Sequence, residues 1–160
     1  MDASPYVHDH AVPAALGMLP EKMTSKEAQV LLLAIGFQES NFVHRQQVRG
    51  PARGWWQFER IGVLGVLKHH SSKDLAATVA ISMGYPDGAV AIHNAVRDND
   101  VLAAVFARLL LWTHPRALPS MSDTNGAWDY YLSLWRPGKP HRDRWDRSHR
   151  LALELVETGE

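Results

Sequence analysis

The sequence predicts an all-α protein of about seven helices around one core, and two observations lead to that prediction. Apolar residues recur at intervals of three and four in most segments, whereas no segment alternates at period two for long enough to form a strand. The 160 residues are 46% apolar and 21% charged, which is ordinary for a globular protein. A chain of this length buries roughly two thirds of its unfolded surface, so residues 1–160 are expected to form a single domain.

Start and stop signals divide the chain into helices and loops. Residues 1–22 hold three prolines and no clear period, so we expect an irregular lead-in with room for one short helix. Thr24 and Glu27 form a T-x-x-E capping box, with Met23 as its hydrophobic staple. The predicted helices cover about residues 24–40, 57–70, 71–83, 98–112, 128–135 and 140–156, and one more begins at Pro86.

Composition excludes several classes of site. The chain has no cysteine, which rules out disulfides, a thiol nucleophile and a thiolate zinc site. The nine histidines lack the spacing of a zinc protease, so neither a metal nor another cofactor is predicted. Basic and acidic residues number 17 each, which argues against a nucleic-acid partner. The basic segment 136–150 has two interpretations: a patch for an anionic polymer or, as we favour, a solvated helix face with Arg–Asp pairs.

The apolar face of the first long helix leads to a carboxyl group. That face consists of residues spaced by three and four: Ala28, Leu31, Leu32 and Ile35. A further step of four reaches Glu39. Apolar neighbours and the negative end of the helix dipole both disfavour a charged carboxylate, so a raised pKa and a role as general acid are expected. On spacing alone, a Glu39 side chain that extends into solvent is the more common outcome.

Glu59 is the second candidate carboxylate. It follows Gly54-Trp55-Trp56-Gln57-Phe58 and falls at the start of the next predicted helix, where the dipole favours the ionised form. Two carboxyl groups held in opposite protonation states suit the acid and base roles of glycoside cleavage. An ordinary acid in the first turn of a helix would occupy the same position, and the pattern alone favours that interpretation.

Two segments resemble goose-type lysozymes and lytic transglycosylases. They are Ala34-Ile35-Gly36-Phe37-Gln38-Glu39-Ser40-Asn41-Phe42 and Gly54-Trp55-Trp56-Gln57-Phe58. In that family a helix ends in Glu-Ser, and a later loop holds Gly-Leu-Met-Gln. The resemblance covers about residues 28–60. It implies an all-α, lysozyme-like fold with a substrate cleft, and cleavage of the β-1,4 bond between N-acetylmuramic acid and N-acetylglucosamine in peptidoglycan.

The resemblance also implies roles for matching residues. Glu39 corresponds to the catalytic acid, Ser40 to the small polar residue beside it, and Gln57 to the glutamine next to the sugar. Glu59 stands near an aspartate that is proposed to orient water in the goose-type enzymes. Hydrolysis would use Glu59 to hold a water, whereas attack by the muramyl 6-hydroxyl would give an anhydro product; the sequence leaves both open.

Aromatic and basic residues complete the expected substrate site. Trp55 and Trp56 replace the family's Leu-Met and are candidates for stacking on sugars, with one ring expected in the core and one in the cleft. The family's Ala-x-Tyr-Asn-Ala-Gly motif is missing, and Tyr130 or Tyr131 is the nearest substitute. Core packing on an amphipathic helix is the competing interpretation for both tyrosines. Arg136 is expected at one edge of the cleft.

The expected location follows from what the sequence lacks. The longest apolar run has eight residues, too few to cross a bilayer, and the first ten residues do not resemble a secretory signal. We expect a monomer made in the cytoplasm, without membrane insertion. It would act on peptidoglycan glycan strands as a phage-type lysin that uses a separate export or pore factor, or as a virion component. The alternative is a non-catalytic wall-binding or phage structural protein with a lysozyme-like fold.

Overall fold

The computed structural model describes residues 2–86 and 88–159, and its regular elements are all helical. The helices are α1 (Ser4–Tyr6), α2 (Val12–Gly17), α3 (Lys26–Glu39), α4 (Arg60–Lys68), α5 (Lys73–Ser82), α6 (Ala89–Ala95), α7 (Asp100–Trp112), α8 (Thr124–Trp135) and α9 (Arg142–Thr158). A π-helical turn, Val7–Ala11, joins α1 to α2, and a 3-10 turn, Glu21–Met23, precedes α3. The all-α prediction is confirmed for the described residues. Each of the seven helices predicted beyond residue 22 has a counterpart.

The lead-in is more ordered than the sequence predicts. Residues 4–17 are continuously helical, so the expectation of an irregular segment over residues 1–22 is wrong for most of its length. Pro5 and Pro13 lie in the first turns of α1 and α2, where a missing backbone N–H costs little. Between them the chain widens into a π-helical turn, in which the Val12 N–H donates to the Val7 carbonyl.

The cap of α3 lies one residue later than predicted. The side chain of Ser25, not that of Thr24, accepts a hydrogen bond from the Ala28 N–H at 3.0 Å. Thr24 adopts an extended conformation outside the helix. Met23 is buried, as expected for a residue that packs against the first turn. The sequence therefore predicts the presence of the cap and its approximate position, but not the residue that forms it.

Helix α3 is the central element of the core. The apolar stripe predicted from Ala28 to Ile35 is buried. Burial also extends to residues outside that stripe, among them Val30, Leu33 and Ala34. Helix α9 packs along α3 over the most extensive helix–helix contact, and α7, itself buried nearly throughout, crosses it. A helix that is apolar on all faces is enclosed by its neighbours, and Glu39 is the last residue of such a helix.

Two other helices begin later than predicted. Helix α4 starts at Arg60 rather than Gln57, because Gln57 has a positive φ of 52° and belongs to a tight turn. Helix α6 starts at Ala89 after Gly88, so Pro86 precedes the helix instead of opening it. Helix α7 is capped by Asn99, whose side chain accepts from the Leu102 N–H at 3.0 Å. None of the helices in the described ranges combines the length and apolarity that a bilayer crossing requires.

Candidate active site

Glu39 occupies the carboxyl end of α3, where the enclosed helix meets the surface. Its side chain is half-buried, and burial is the largest cause that raises its pKa from 4.5 to about 7. The negative end of the α3 dipole acts in the same direction. The expected raised pKa is therefore present, and Glu39 can hold a proton near neutral pH.

Tyr131 reaches Glu39 from α8. Its hydroxyl donates a hydrogen bond to Oε1 of Glu39 at 3.1 Å, which favours the ionised carboxylate and lowers the pKa that burial alone would produce. The Tyr131 ring is buried and stacks on Trp145 at 5.2 Å between centroids. Burial and the nearby carboxylate raise the pKa of the phenol, so Tyr131 remains a hydrogen-bond donor throughout the physiological range. Tyr131 therefore packs in the core, as the competing interpretation expected, while its hydroxyl contacts Glu39.

Glu59 interacts with Glu39 through charge. It is the N-terminal capping residue of α4, it is exposed, and its side chain makes no capping hydrogen bond. Its negative charge is the third cause of the Glu39 shift and raises that pKa. The charge of Glu59, which is exposed, therefore acts on the carboxyl group of Glu39, which is half-buried. This contrast matches the expectation that their surroundings differ.

Ser40 is a structural residue. Its buried hydroxyl lies 3.1 Å from the Gly36 carbonyl and 2.7 Å from the Trp55 carbonyl, and it accepts a hydrogen bond from the Phe42 N–H. These bonds end α3 and attach the loop that contains Trp55 to the helix. A substrate-binding role for Ser40 is not supported, because its hydrogen-bonding capacity is used inside the protein.

Both tryptophans of the predicted stacking pair belong to the core. Trp56 is fully buried and donates through Nε1 to the Leu32 carbonyl at 2.8 Å. Trp55 is 4% exposed, lies beneath the Arg45 guanidinium, and has an Nε1 without a hydrogen-bond partner among the described residues. The expectation that one ring lines the cleft is wrong. The tight turn from Gly54 to Phe58 directs both indoles inward, which helical geometry did not anticipate.

That turn is fixed by backbone geometry. Arg53 and Phe58 exchange two backbone hydrogen bonds of 2.9 Å, which closes the turn. Gly54 has a φ of 77°, and a Cβ there would lie 2.4 Å from the Val96 carbonyl oxygen. The side chain of Gln57 is half-buried and donates to the Gly54 carbonyl at 2.9 Å. Gln57 therefore supports the turn with its amide nitrogen.

Tyr130 and Arg136 lie away from Glu39 in their contacts. Tyr130 donates its hydroxyl toward the carbonyls of Leu111 and Arg116 and stacks on His114, so its assignment to the Glu39 site is wrong. Successive residues on a helix point about 100° apart, which is why Tyr130 and Tyr131 serve different surroundings. Arg136 is exposed in the left-handed conformation at the end of α8, and its Nε donates to Ser133.

Gln38 was not assigned to the site from the sequence, whereas Trp135 begins the segment that was expected at one edge of the cleft. Trp135 donates through Nε1 to the Trp56 carbonyl at 2.9 Å and contacts the Tyr131 ring. Gln38 donates to the His141 carbonyl and accepts from Ser148. Together they fasten the segment 135–141 beside the end of α3. The spacing of four between Tyr131 and Trp135 is the signal that could have revealed the shared face.

Cavities and metal-binding groups do not coincide with Glu39. Two cavities of about 620 and 600 Å³ are present, and Glu39 lines neither of them. Within residues 2–86 and 88–159, no group of three or more histidine, aspartate or glutamate side chains is arranged to hold a metal ion. At Glu39 the structure shows a half-buried carboxyl group of raised pKa with the Tyr131 hydroxyl beside it.

Comparison with protein-family models, with curated proteins and with solved structures finds no match for this chain.

Proposed function

We propose that the protein cleaves the β-1,4 bond between N-acetylmuramic acid and N-acetylglucosamine in peptidoglycan, with Glu39 as general acid. The observation that supports this most is the pKa of about 7 at Glu39, held by burial and modulated by Tyr131 and Glu59. A carboxyl group that is protonated near neutral pH can donate to a leaving oxygen. The resemblance of residues 28–60 to goose-type lysozymes and lytic transglycosylases supplies the substrate class.

In the proposed reaction Glu39 gives its proton to the glycosidic oxygen as the bond to the muramyl anomeric carbon breaks. The carbon then develops oxocarbenium character, and the N-acetylglucosamine hydroxyl departs. The next step has two alternative routes. In the first, Glu59 removes a proton from a water that attacks the opposite face, giving an inverted reducing end. In the second, Glu59 takes no part and the muramyl 6-hydroxyl attacks, giving an anhydro end. In the second route the hydroxyl proton passes to the Glu39 carboxylate.

Tyr131 is proposed as a positioning residue in this scheme. Its hydrogen bond holds Oε1 of Glu39 and stabilises the carboxylate that forms after proton donation. The segment 135–141, attached through Trp135 and Gln38, is proposed as one side of the substrate site next to Glu39. Arg136 on that segment remains the proposed contact for substrate carboxylates, since its guanidinium is exposed and forms no ion pair within the described residues. The proposed site of action is the bacterial wall, as a phage-type lysin or virion component.

The decisive variant is Glu39→Gln, which keeps the side-chain shape and removes the acidic proton. We expect wall-clearing activity to fall by about 10²–10⁴-fold, the usual contribution of a positioned general acid. Glu157→Gln, at an exposed site on α9, is the matched control and should retain parental activity. Turbidity of a wall suspension gives the rate, and mass spectrometry of the soluble fragments identifies reducing or anhydro ends. Parental activity in Glu39→Gln would refute the proposal.

The alternative is a non-catalytic wall-binding or phage structural protein. The specific observation in its favour is that Glu39 lines neither of the two cavities of about 620 and 600 Å³. This alternative requires the wild-type protein to sediment with purified walls while producing no new reducing or anhydro ends. The same mass spectrometry measurement on the wild type therefore separates the two functions.

A further inference from the structure

One cavity lies beside Tyr130, on a different face of α8 from Tyr131. It has a volume of about 620 Å³ and is formed by the end of α7, the loop that follows it, and residues near the start of α3. Arg108, Trp112, Lys22, Arg116 and Tyr130 are among the residues that line it. A cavity of this size is typical of small-molecule sites in proteins. We refer to it as the Arg108 cavity.

Arg108 is a buried cation without an anionic partner. Its side chain belongs to the core helix α7, and the residue is only 3% exposed. Nε donates to the Met23 carbonyl at 2.8 Å, whereas Nη1 is buried with no hydrogen-bond partner among the described residues. Arg108 forms no ion pair with a described carboxylate, and burial lowers the pKa of its guanidinium. A buried guanidinium with unused donors is unfavourable unless a ligand or water completes it.

The other charged groups of the cavity reinforce the positive potential. Lys22 and Arg116 add two cations, against one carboxylate from Glu27. The Lys22 ammonium and the Arg108 guanidinium lie 5.4 and 5.6 Å from the Trp112 ring centroid. Both cations therefore make cation–π contacts with this indole, which lines the cavity. An anion in the cavity is therefore near three cations, of which Lys22 and Arg116 are exposed and Arg108 is buried.

Apolar surface completes the cavity. Leu111, Leu118 and Pro115 lie along the same wall as the Trp112 indole. Such a lining suits a ligand that joins one charged group to an apolar or planar body. The Tyr130 hydroxyl is already committed to the Leu111 and Arg116 carbonyls, which holds the loop after α7 against α8. The cavity wall is thus built by internal hydrogen bonds and does not require a ligand to form.

We propose that the Arg108 cavity binds the carboxylate or phosphate group of a small anionic molecule, with Arg108 as the principal donor. This inference is independent of the proposed cleavage at Glu39, because Tyr130 lines this cavity while Tyr131 serves Glu39. Planar guanidinium groups bind both carboxylates and phosphates through paired hydrogen bonds, so one site chemistry accommodates either group. The two sources are separated by the choice of probe.

The test uses the full chain with inorganic phosphate and acetate as separate probes at constant ionic strength. The indole N–H signal of Trp112, followed by NMR during titration, and the midpoint of thermal unfolding are the readouts. We expect a saturable shift of the Trp112 signal and a rise in the midpoint with at least one probe. A response to phosphate alone assigns a phosphate ligand, one to acetate alone assigns a carboxylate, and responses to both assign an unselective anion site.

Variants show whether the response belongs to this cavity. Arg108→Met keeps the side-chain length and should weaken probe binding about tenfold or more, as expected for the loss of a charge-assisted hydrogen bond. Should Arg108→Met fail to fold, the paired change of Lys22→Gln and Arg116→Gln removes exposed cations and should weaken binding in the same direction. Arg150→Gln, an exposed position on α9, is the control and should bind as the wild type does. The proposal is overturned if neither probe gives a saturable response, or if the cavity variants respond like Arg150→Gln.

Discussion

The hydroxyl of Tyr131 donates a hydrogen bond to Oε1 of Glu39 at 3.1 Å, which joins α8 to the carboxyl end of α3. This contact opposes the effect of burial, because it stabilises the charged form of a carboxyl group that burial would keep neutral. Glu59 acts in the opposite direction through its charge. Tyr131 therefore lowers the pKa of Glu39 and Glu59 raises it, and each effect can be removed by its own substitution.

Removal of the Tyr131 hydroxyl is expected to raise the Glu39 pKa above 7. In Tyr131→Phe the carboxylate loses a donor, so its neutral form persists to higher pH. The basic limb of the pH–rate profile for wall clearing should move to higher pH, because the acid remains protonated longer. Tyr130→Phe is the control, since that hydroxyl bonds to the Leu111 and Arg116 carbonyls. A limb that stays in place in Tyr131→Phe would show that the hydrogen bond does not tune Glu39.

Neutralisation of Glu59 should have the opposite sign. Glu59→Gln removes a negative charge that raises the Glu39 pKa, so the basic limb should move to lower pH. If the variant turns over too slowly for a profile, an NMR titration of the ¹³C-labelled Glu39 carboxyl gives the same pKa. An unchanged or higher pKa would contradict an electrostatic link between the two carboxyl groups.

The ionisation of Glu39 should lower the free energy of unfolding as pH rises. The folded protein holds the Glu39 proton up to a pKa of about 7, whereas the unfolded chain releases it near 4.5. Stability from this group is therefore complete below pH 4.5 and is lost as pH rises to about 7, by at most about 3 kcal/mol. Glu39→Gln removes that dependence.

The measurement compares the wild type with Glu39→Gln by urea unfolding at pH 5 and pH 8. The variant should gain stability relative to the wild type at the higher pH. Use of the difference between the two proteins cancels the titration of His93 and His149, whose pKa values are lowered by burial. If the difference in unfolding free energy between the wild type and Glu39→Gln is the same at pH 5 and pH 8, the pKa of Glu39 is not raised.

Helix α3 illustrates which features the sequence could predict. Its apolar spacing located the helix, its end and the carboxyl group on its last turn, because these depend on residues within one turn of each other. The inward orientation of Trp55 and Trp56 depends on a positive φ at Gly54 and Gln57 and on the backbone of Val96. Val96 is distant in the chain, and the left-handed backbone of Gln57 has no signal in the apolar pattern, so helical periodicity assigned one indole to the cleft incorrectly.

Tyr131 shows the same limit at the candidate site. The sequence offered two adjacent tyrosines, and the choice between them depends on the rotation of α8 relative to α3. The aromatic spacing of Trp128, Tyr131 and Trp135 marks one face of α8, and that face packs toward Trp145 and Trp56. This spacing is the feature of the sequence that favours Tyr131 over Tyr130.

The two tryptophans should differ in their contributions to stability. Trp56→Phe removes the hydrogen bond to Leu32 and leaves space in a filled core, so a loss of about 2 kcal/mol is expected. Trp55→Phe removes a buried N–H that has no partner, and its cost should be smaller by about 1 kcal/mol. Denaturant unfolding of both variants gives the comparison. Equal losses would indicate that the Trp55 indole nitrogen is satisfied in solution.

The enclosure of α3 also bears on how the protein responds to heat. Glu39 is attached to the helix whose backbone amides should exchange with solvent most slowly, because α9 and α7 cover it. The hydrogen bonds of Tyr131 to Glu39 and of Ser40 to Gly36 and Trp55 attach this end of the helix to the core, so we expect the acid to stay in place until the core itself opens. The temperature at which activity disappears should coincide with the temperature at which the whole chain melts, rather than precede it.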